Sequence, residues 1–488
     1  MASSLRARRR SPLRVALFLT AGCATQSTPV FTAPTPNAST NSAAVARRFD
    51  NLRHDPARLL LFLRDMPKGG DLHSHLAGAV YAESFIRWAG EDGLCIITAT
   101  LTLAPPPCST DSSRPLASSI ATNATLYGDV IDAWSLRNWN AARHNGHDQF
   151  FESFGKFGLA TRGRTGDMLA EVSAQAAADK VSYLELMQTL DGGASASLGR
   201  QLGYSDDFGR LRDRILAAGL KDSLARARTT LDADEARRRT LLRCGTATAD
   251  AGCAVTIRYL YQVLRGRSRE EVFARILAGF EMTRLDSRVV GFNLVEPEDD
   301  PVPMRDFSLH MAMIDFLHRL YPDVHITLHA GELAEGQVPP DGLRFHIRKS
   351  IETGHAERIG HGVAVLYEDD ADGLLRLMAS HRILVEIALS SNDGILGVRG
   401  DRHPLATYLR YGVPVALATD DEGVSRSNMT HEYQRAVEEQ GVDYATLKTM
   451  AHNSLAFAFV DATDKARLLR EFDAAIAQFE ARWATPAR

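Results

Sequence analysis

The chain has 488 residues, of which 45% are apolar and 24% charged, and its formal net charge is −4. It exceeds one average domain, and its balance is that of a globular protein with a large buried core. A charge this small, with no lysine/arginine cluster interleaved with aromatics, argues against a nucleic-acid partner.

Arg6, Arg8, Arg9, Arg10 and Arg14 precede the apolar run Val15-Ala16-Leu17-Phe18-Leu19 and then Thr20-Ala21-Gly22-Cys23. A basic region, a short apolar region and small residues describe an export signal over residues 1–22, and the run is too short to span a bilayer. The cysteine after Ala-Gly resembles the bacterial lipoprotein box and makes Cys23 the lipidated first mature residue. The alternative is an ordinary secretory signal with a chance cysteine. Ser, Thr, Pro, Ala and Asn dominate as far as Ala44, so residues 23–47 read as a flexible linker. The expected location is the periplasm or the outer membrane, with membrane contact only through the lipid anchor.

Residues 48–484 read as one folding unit. A helix is expected from Leu52 to Arg64, stopped by Asp65-Met66-Pro67. Eight strand candidates follow: Gly70–His73, Val181–Leu186, Ala254–Tyr259, Arg288–Leu294, His325–Leu328, Glu357–Gly360, Ile383–Ile387 and Val415–Thr419. Helical patterns lie between them, the clearest opening at a capping box, Ser268-Arg269-Glu270-Glu271. This alternation predicts an α/β fold, a (β/α)8 TIM barrel. Residues of about 91–140 read as an insertion after the first strand. A second long connection, about 192–253, is mostly charged helix. Cys95 and Cys108 are sequence neighbours, as are Cys244 and Cys253. Neither pair has Cys-x-x-Cys spacing, so the choice lies between two local disulfides, which suit an exported chain, and four buried thiols.

The chemistry-bearing residues sit where barrel strands end. His73 and His75 alternate around Ser74, so both imidazoles project to one side. His329 and Asp420 follow two later strands. Three imidazoles and a carboxylate can form a catalytic zinc shell with room for water, and the same donors suit iron, manganese or cobalt. His361, between Gly360 and Gly362, is the candidate to orient and deprotonate that water; the alternatives are a fifth ligand or a packed core histidine. Glu332, three residues after His329, can hold a proton in a desolvated pocket and donate it. Asp421 would point from the metal toward a substrate. Glu185, Ser391 and Asn392 are candidate supports behind the metal residues, and His403 reads as structural.

Met66-Pro67-Lys68, Leu72-His73-Ser74-His75-Leu76, His329-Ala330-Gly331-Glu332, Arg358-Ile359-Gly360-His361-Gly362 and Thr419-Asp420-Asp421 together resemble the adenosine deaminase family of the amidohydrolase superfamily. Within it the chain is similar to the secreted, growth-factor-related branch. The resemblance implies one Zn2+ held by His73, His75, His329 and Asp420. It implies hydrolytic deamination of adenosine, and of 2′-deoxyadenosine, to the 6-oxopurine and ammonia, through hydroxide attack at purine C6. Glu332 would protonate N1, His361 would steer the hydroxide and Asp421 would hydrogen-bond N7. Two positions depart from the family pattern: Ala77 replaces an aspartate that meets ribose, and Glu296 stands near an expected glycine, where it becomes a substrate-contact candidate. The substrate class is thus a purine nucleoside, with another 6-aminopurine or amide-like bond as the alternative and an inactive nucleoside-binding surface protein as a third reading. A homodimer is also compatible.

Overall fold

The structure is a computed structural model that describes residues 40–109, 111–142 and 144–484. The expected signal peptide 1–22, the lipidation candidate Cys23 and the linker as far as residue 39 lie outside the described residues. The linker as expected, to residue 47, is too long. A helix, Thr40–Leu52, already runs through its last part and buries Val45, Phe49 and Leu52. Those positions share one helical face, and Phe49 meets Phe62 at 5.3 Å between ring centroids. Each such buried apolar side chain stabilises the fold by roughly 1.5–3 kcal/mol. The helix expected over Leu52–Arg64 is in fact broken: a second one, Pro56–Asp65, starts at Asp55, whose carboxylate accepts from Arg58 N.

Ten strands are found among the described residues: β1 (Gly69–His75), β2 (Cys95–Ile97), β3 (Thr102–Ala104), β4 (Val181–Gln188), β5 (Thr256–Leu264), β6 (Val289–Val295), β7 (Thr327–Ala330), β8 (Arg358–His361), β9 (Leu384–Ile387) and β10 (Val415–Leu417). Two parallel four-stranded sheets, β1-β4-β5-β6 and β7-β8-β9-β10, carry the architecture. Parallel bridges Phe292↔Ile326 and Ser74↔Asp420 join them at both edges. The result is a ring of parallel strands alternating with helices, the arrangement of a (β/α)8 barrel. The strands are buried on both faces, which is why they read as near-continuous apolar runs.

Between β1 and β4, in the stretch expected to be an insertion, β2 and β3 form an antiparallel hairpin and Cys95 is disulfide-bonded to Cys108. Near the end of the stretch, Leu136 N–H donates to Val424 O beyond β10, so it returns to the barrel end that carries the candidate residues. The 192–253 connection contains helices Ala194–Leu202, Phe208–Ala217 and Leu220–Leu241, followed by the Cys244–Cys253 disulfide. Ala254 belongs to a short 3-10 turn, and the strand expected there starts at Thr256. The helix Arg269–Leu285 packs on β5, β6 and the helix Ala194–Leu202, burying every residue from Val272 to Phe280. Its capping box does not form: the Ser268 hydroxyl donates to the Glu270 and Glu271 carboxylates rather than capping the backbone.

Candidate active site

Where β1 and β10 meet, His75 N donates to Asp420 O and Asp420 N donates to His73 O. Asp71 reinforces the junction by accepting from His73 N at 3.1 Å and from the Thr419 hydroxyl at 2.6 Å. Backbone pairing thus sets Asp420 against the His-x-His pair, 345 residues apart in sequence from His75. At the C-terminal ends of barrel strands, three non-glycine residues adopt left-handed backbone: Glu296 (φ 84°), His361 (φ 66°) and Asp420 (φ 57°). Such conformations cost about 1–3 kcal/mol each and persist where the surrounding structure enforces them.

His73 Nε2 lies 3.1 Å from His329 Nε2, and His75 Nε2 lies 3.3 Å from it. Asp420 Oδ1 is 3.5 Å from His73 Nε2 and 3.3 Å from His75 Nε2. Ligand bonds of about 2.0–2.1 Å in a tetrahedral site give edges of about 3.3 Å. A second grouping, with His361 in place of His75, keeps its donor atoms within 4.8 Å of one another. The closer spacing favours His75, with His361 beside the cluster at 4.8 Å from the His73 ring and 5.0 Å from the His329 ring.

The outer nitrogen of each imidazole is already engaged. His73 Nδ1 donates to Glu386 at 2.7 Å, His75 Nδ1 to Gln262 Oε1 at 3.1 Å and His329 Nδ1 to Asn293 Oδ1 at 3.0 Å. Asn293 Oδ1 also accepts from His329 N, which only donates, so its orientation follows from the backbone. Burial lowers the His73 pKa, but Asp420 and Glu386 outweigh it and raise it to about 10, so a proton competes for the same point. As neutral rings the three imidazoles aim three lone pairs there, beside a carboxylate. That convergence is repulsive without a cation and favourable with one, so the donor set fits a metal ion. Glu386 in turn pairs with Arg358 Nε at 2.7 Å, and Arg358 reaches Glu185 at 2.6 Å. Burial would raise the Glu386 pKa, but Arg358 and His73 outweigh it and hold it below the usual carboxylate range.

Electrostatics separate the remaining groups. Burial, reinforced by Asp420, pushes the Glu332 carboxyl well above its ordinary pKa, so it retains its proton. Burial likewise raises Asp421 well above the usual range, with Asp420 adding to the shift. Burial lowers His361 to about 3 and keeps it neutral. Glu298 secures the Glu332 loop by accepting from Gly331 N at 3.2 Å, Glu332 N at 2.8 Å and His346 Nδ1 at 2.5 Å.

The structure thus brings together His73, His75, His329, Asp420, His361, Glu332 and Asp421. Asp421, expected to point away from the cluster, has a carboxylate oxygen within 4.8 Å of donor atoms on His75 and Asp420. Gly78 makes room for it: a Cβ there would lie 1.5 Å from Asp421 Oδ1. Gly360 makes room for His73, because a Cβ there would fall 2.5 Å from His73 Cε1. Glu296 departs from expectation. Its carboxylate accepts from Gly266 N at 2.7 Å and Arg267 at 2.5 Å, which turns it from a substrate contact into a brace between strand ends. The supports Glu386, Asn293, Gln262 and Glu298 escaped the sequence reading; a polar residue inside or just past an apolar strand was the available signal.

Comparison with known proteins agrees with this geometry. The family described as Adenosine deaminase matches residues 223–475. Adenosine deaminase of Serratia proteamaculans is 39% identical over 146 residues, covering 30% of this chain and 41% of that protein. The Escherichia coli (strain SE11) protein is 40% identical over 148 residues, again 30% and 41%. The matched stretch therefore spans about two-fifths of these curated relatives, 41% of each. Among solved structures, the N6-methyl-AMP deaminase of Arabidopsis thaliana aligns with TM-score 0.55 at 20% identity, covering 86% of this chain and 99% of that one. An amidohydrolase from Burkholderia ambifaria with bound Zn aligns with TM-score 0.51 at 18% identity, covering 86% and 94%. Both are likenesses of fold. With the family matching across more than half of its length and the family's motifs gathered at one end of the barrel, the chain belongs to the adenosine deaminase family.

Proposed function

We propose that this protein is a zinc-dependent deaminase of purine nucleosides that converts adenosine, and 2′-deoxyadenosine, to the 6-oxopurine and ammonia. The observation that carries the reading is the convergence of three Nε2 atoms and Asp420 Oδ1 at neighbouring distances of 3.1–3.5 Å, beside the buried carboxyl of Glu332. His73, His75, His329 and Asp420 would hold the metal. When bound, it supplies Lewis-acid chemistry that lowers the pKa of water at the site.

The chain's own groups supply the rest. Glu332 holds a proton at its carboxyl and delivers it to purine N1, which makes C6 more electrophilic. Asp421, protonated by burial, donates a hydrogen bond to N7, an atom that only accepts. His361 stands beside the cluster and orients the attacking water. The near-complete burial of Glu332, His361 and Asp421, at 7%, 1% and 4% exposure, keeps bulk water from these groups and strengthens their electrostatic effect.

Ala77 supplies no carboxylate for ribose and Glu296 is held by Arg267, which favours a second substrate in the same class, a 6-aminopurine other than adenosine. The export reading belongs to residues outside the described range; the Cys95–Cys108 and Cys244–Cys253 disulfides support it, because such bonds persist in oxidising compartments. The test is product analysis with zinc-loaded protein on adenosine, 2′-deoxyadenosine, AMP and adenine. Inosine and ammonia from adenosine, absent with Glu332→Gln, are expected. Turnover of AMP or adenine alone would move the assignment to that purine.

A further inference from the structure

His361 is the last member of a hydrogen-bond chain that starts at a backbone amide. Leu405 N–H donates to His403 Nδ1 at 3.2 Å. An amide nitrogen cannot accept, so Nδ1 is the bare nitrogen of His403 and its proton sits on Nε2. Burial lowers the His403 pKa to about 3 and keeps the ring neutral. His403 Nε2 lies 3.1 Å from Asn392 Oδ1, a donor facing an acceptor, which settles an amide orientation that would otherwise be arbitrary. Asn392 Nδ2 then donates to His361 Nδ1 at 3.0 Å. His361 Nδ1 is thereby an acceptor, and the hydrogen of the neutral ring is on Nε2, a buried atom with no hydrogen-bond partner among the described residues.

The same structural unit braces both sides of His361. The helix Leu405–Tyr411 supplies the Leu405 amide at its start and, one turn on, the Tyr408 hydroxyl, which donates to Gly362 O at 2.6 Å. Asn392 and His403 are 0% and 3% exposed, so water does not compete for these bonds.

We propose that Asn392 and His403 are positioning residues that lock His361 in its Nε2–H tautomer, so that it offers the attacking oxygen a hydrogen-bond donor and not a base. The inference rests on the deaminase reading for the identity of that oxygen; the tautomer itself follows from the hydrogen bonds. No proton passes to or from His361 in this role. The donor holds the oxygen of the nucleophile in line with C6 while Glu332 delivers its proton to N1 and, as the resulting carboxylate, takes the proton that the attacking water gives up. In this proposal His361 orients the water without deprotonating it.

The tautomer can be read without any turnover. Full-length protein labelled with 15N-histidine, metal-free and zinc-loaded, is examined by long-range 1H–15N correlation, with His361→Gln identifying the His361 signals. The pattern of an Nε2–H ring is expected, and an Nδ1–H or doubly protonated ring would overturn the proposal. Asn392→Asp places an acceptor against Nδ1 and should move the proton there, lowering kcat by roughly 10²-fold with KM and zinc content unchanged. His403→Gln, which can accept from Leu405 N–H and donate to Asn392, should keep both tautomer and kcat. An Asn392→Asp protein with a moved proton and parental kcat would also overturn the proposal. If no purine is turned over, the spectra still report the tautomer, so failure of the functional reading is separable from failure of this one.

Discussion

His73 Nε2 and His329 Nε2 approach to 3.1 Å while their opposite nitrogens donate to Glu386 and Asn293, so that as neutral rings they have no hydrogen to share. Two lone pairs at that distance mark the place of a cation. The strength of the site therefore depends on residues that do not touch the ion. Glu386→Gln should weaken metal binding by about 10–100-fold while the protein stays folded, since removing such a partner frees the ring and lowers its basicity. Competition with a chromophoric chelator measures it. An unchanged affinity would mean that Glu386 serves only Arg358 and Thr327.

Two glycines should separate metal binding from substrate binding. Gly360→Ala puts a Cβ 2.5 Å from His73 Cε1, so His73 must move and metal content should fall. Gly78→Ala instead collides with Asp421 Oδ1, so metal should stay while kcat/KM drops. Elemental analysis and kinetics on the two variants check this, and equal metal loss in both would contradict it.

His147 joins the helix Gly146–Phe157 to the loop after β6, with Nε2 3.1 Å from Asp299 and Nδ1 2.9 Å from Asp148. Burial lowers its pKa, but the two aspartates outweigh this and raise it from 6.5 to about 9. A histidine raised in this way binds its proton more tightly folded than unfolded. The stability it contributes is fully present below pH 6.5 and is lost as pH rises through about 9. In Asp299→Asn the His147 titration should fall back toward 6.5. NMR titration of the ring is the measurement, and a parent titration already near the unperturbed value would contradict this.

The metal residues were legible because each closes a short apolar strand, and the barrel brings strand ends together whatever their separation in sequence. Their partners were not. Glu386 sits inside Ile383–Ile387 and Asn293 inside Val289–Val295, and only the closed ring shows which imidazole each one meets. Asn392 was legible as a support, whereas His403 looked structural because its link to His361 runs through a hydrogen bond across a loop. The helix at Thr40 was hidden by tether-like composition, since its three buried residues acquire meaning only against Phe62 and Tyr444. At Ser268 the capping pattern was present, but two adjacent glutamates captured the hydroxyl.

The disulfides close short loops, with sequence separations of 13 and 9. Removing either should destabilise the protein by about 2–3 kcal/mol in the chain-entropy account. Denaturant melts of Cys108→Ser and Cys253→Ser, compared with the parent in reductant, test it. Parent and reduced protein melting alike would show that the bonds carry no stability.

The most direct test of the central claim is to strip the protein of metal, add zinc in fractional steps, and record bound zinc and adenosine turnover on the same samples. Turnover should rise in proportion to zinc and saturate at one ion per chain, and His329→Ala should abolish both. Full turnover in the stripped protein, or one tightly held zinc per chain with no purine deaminated, would contradict the account.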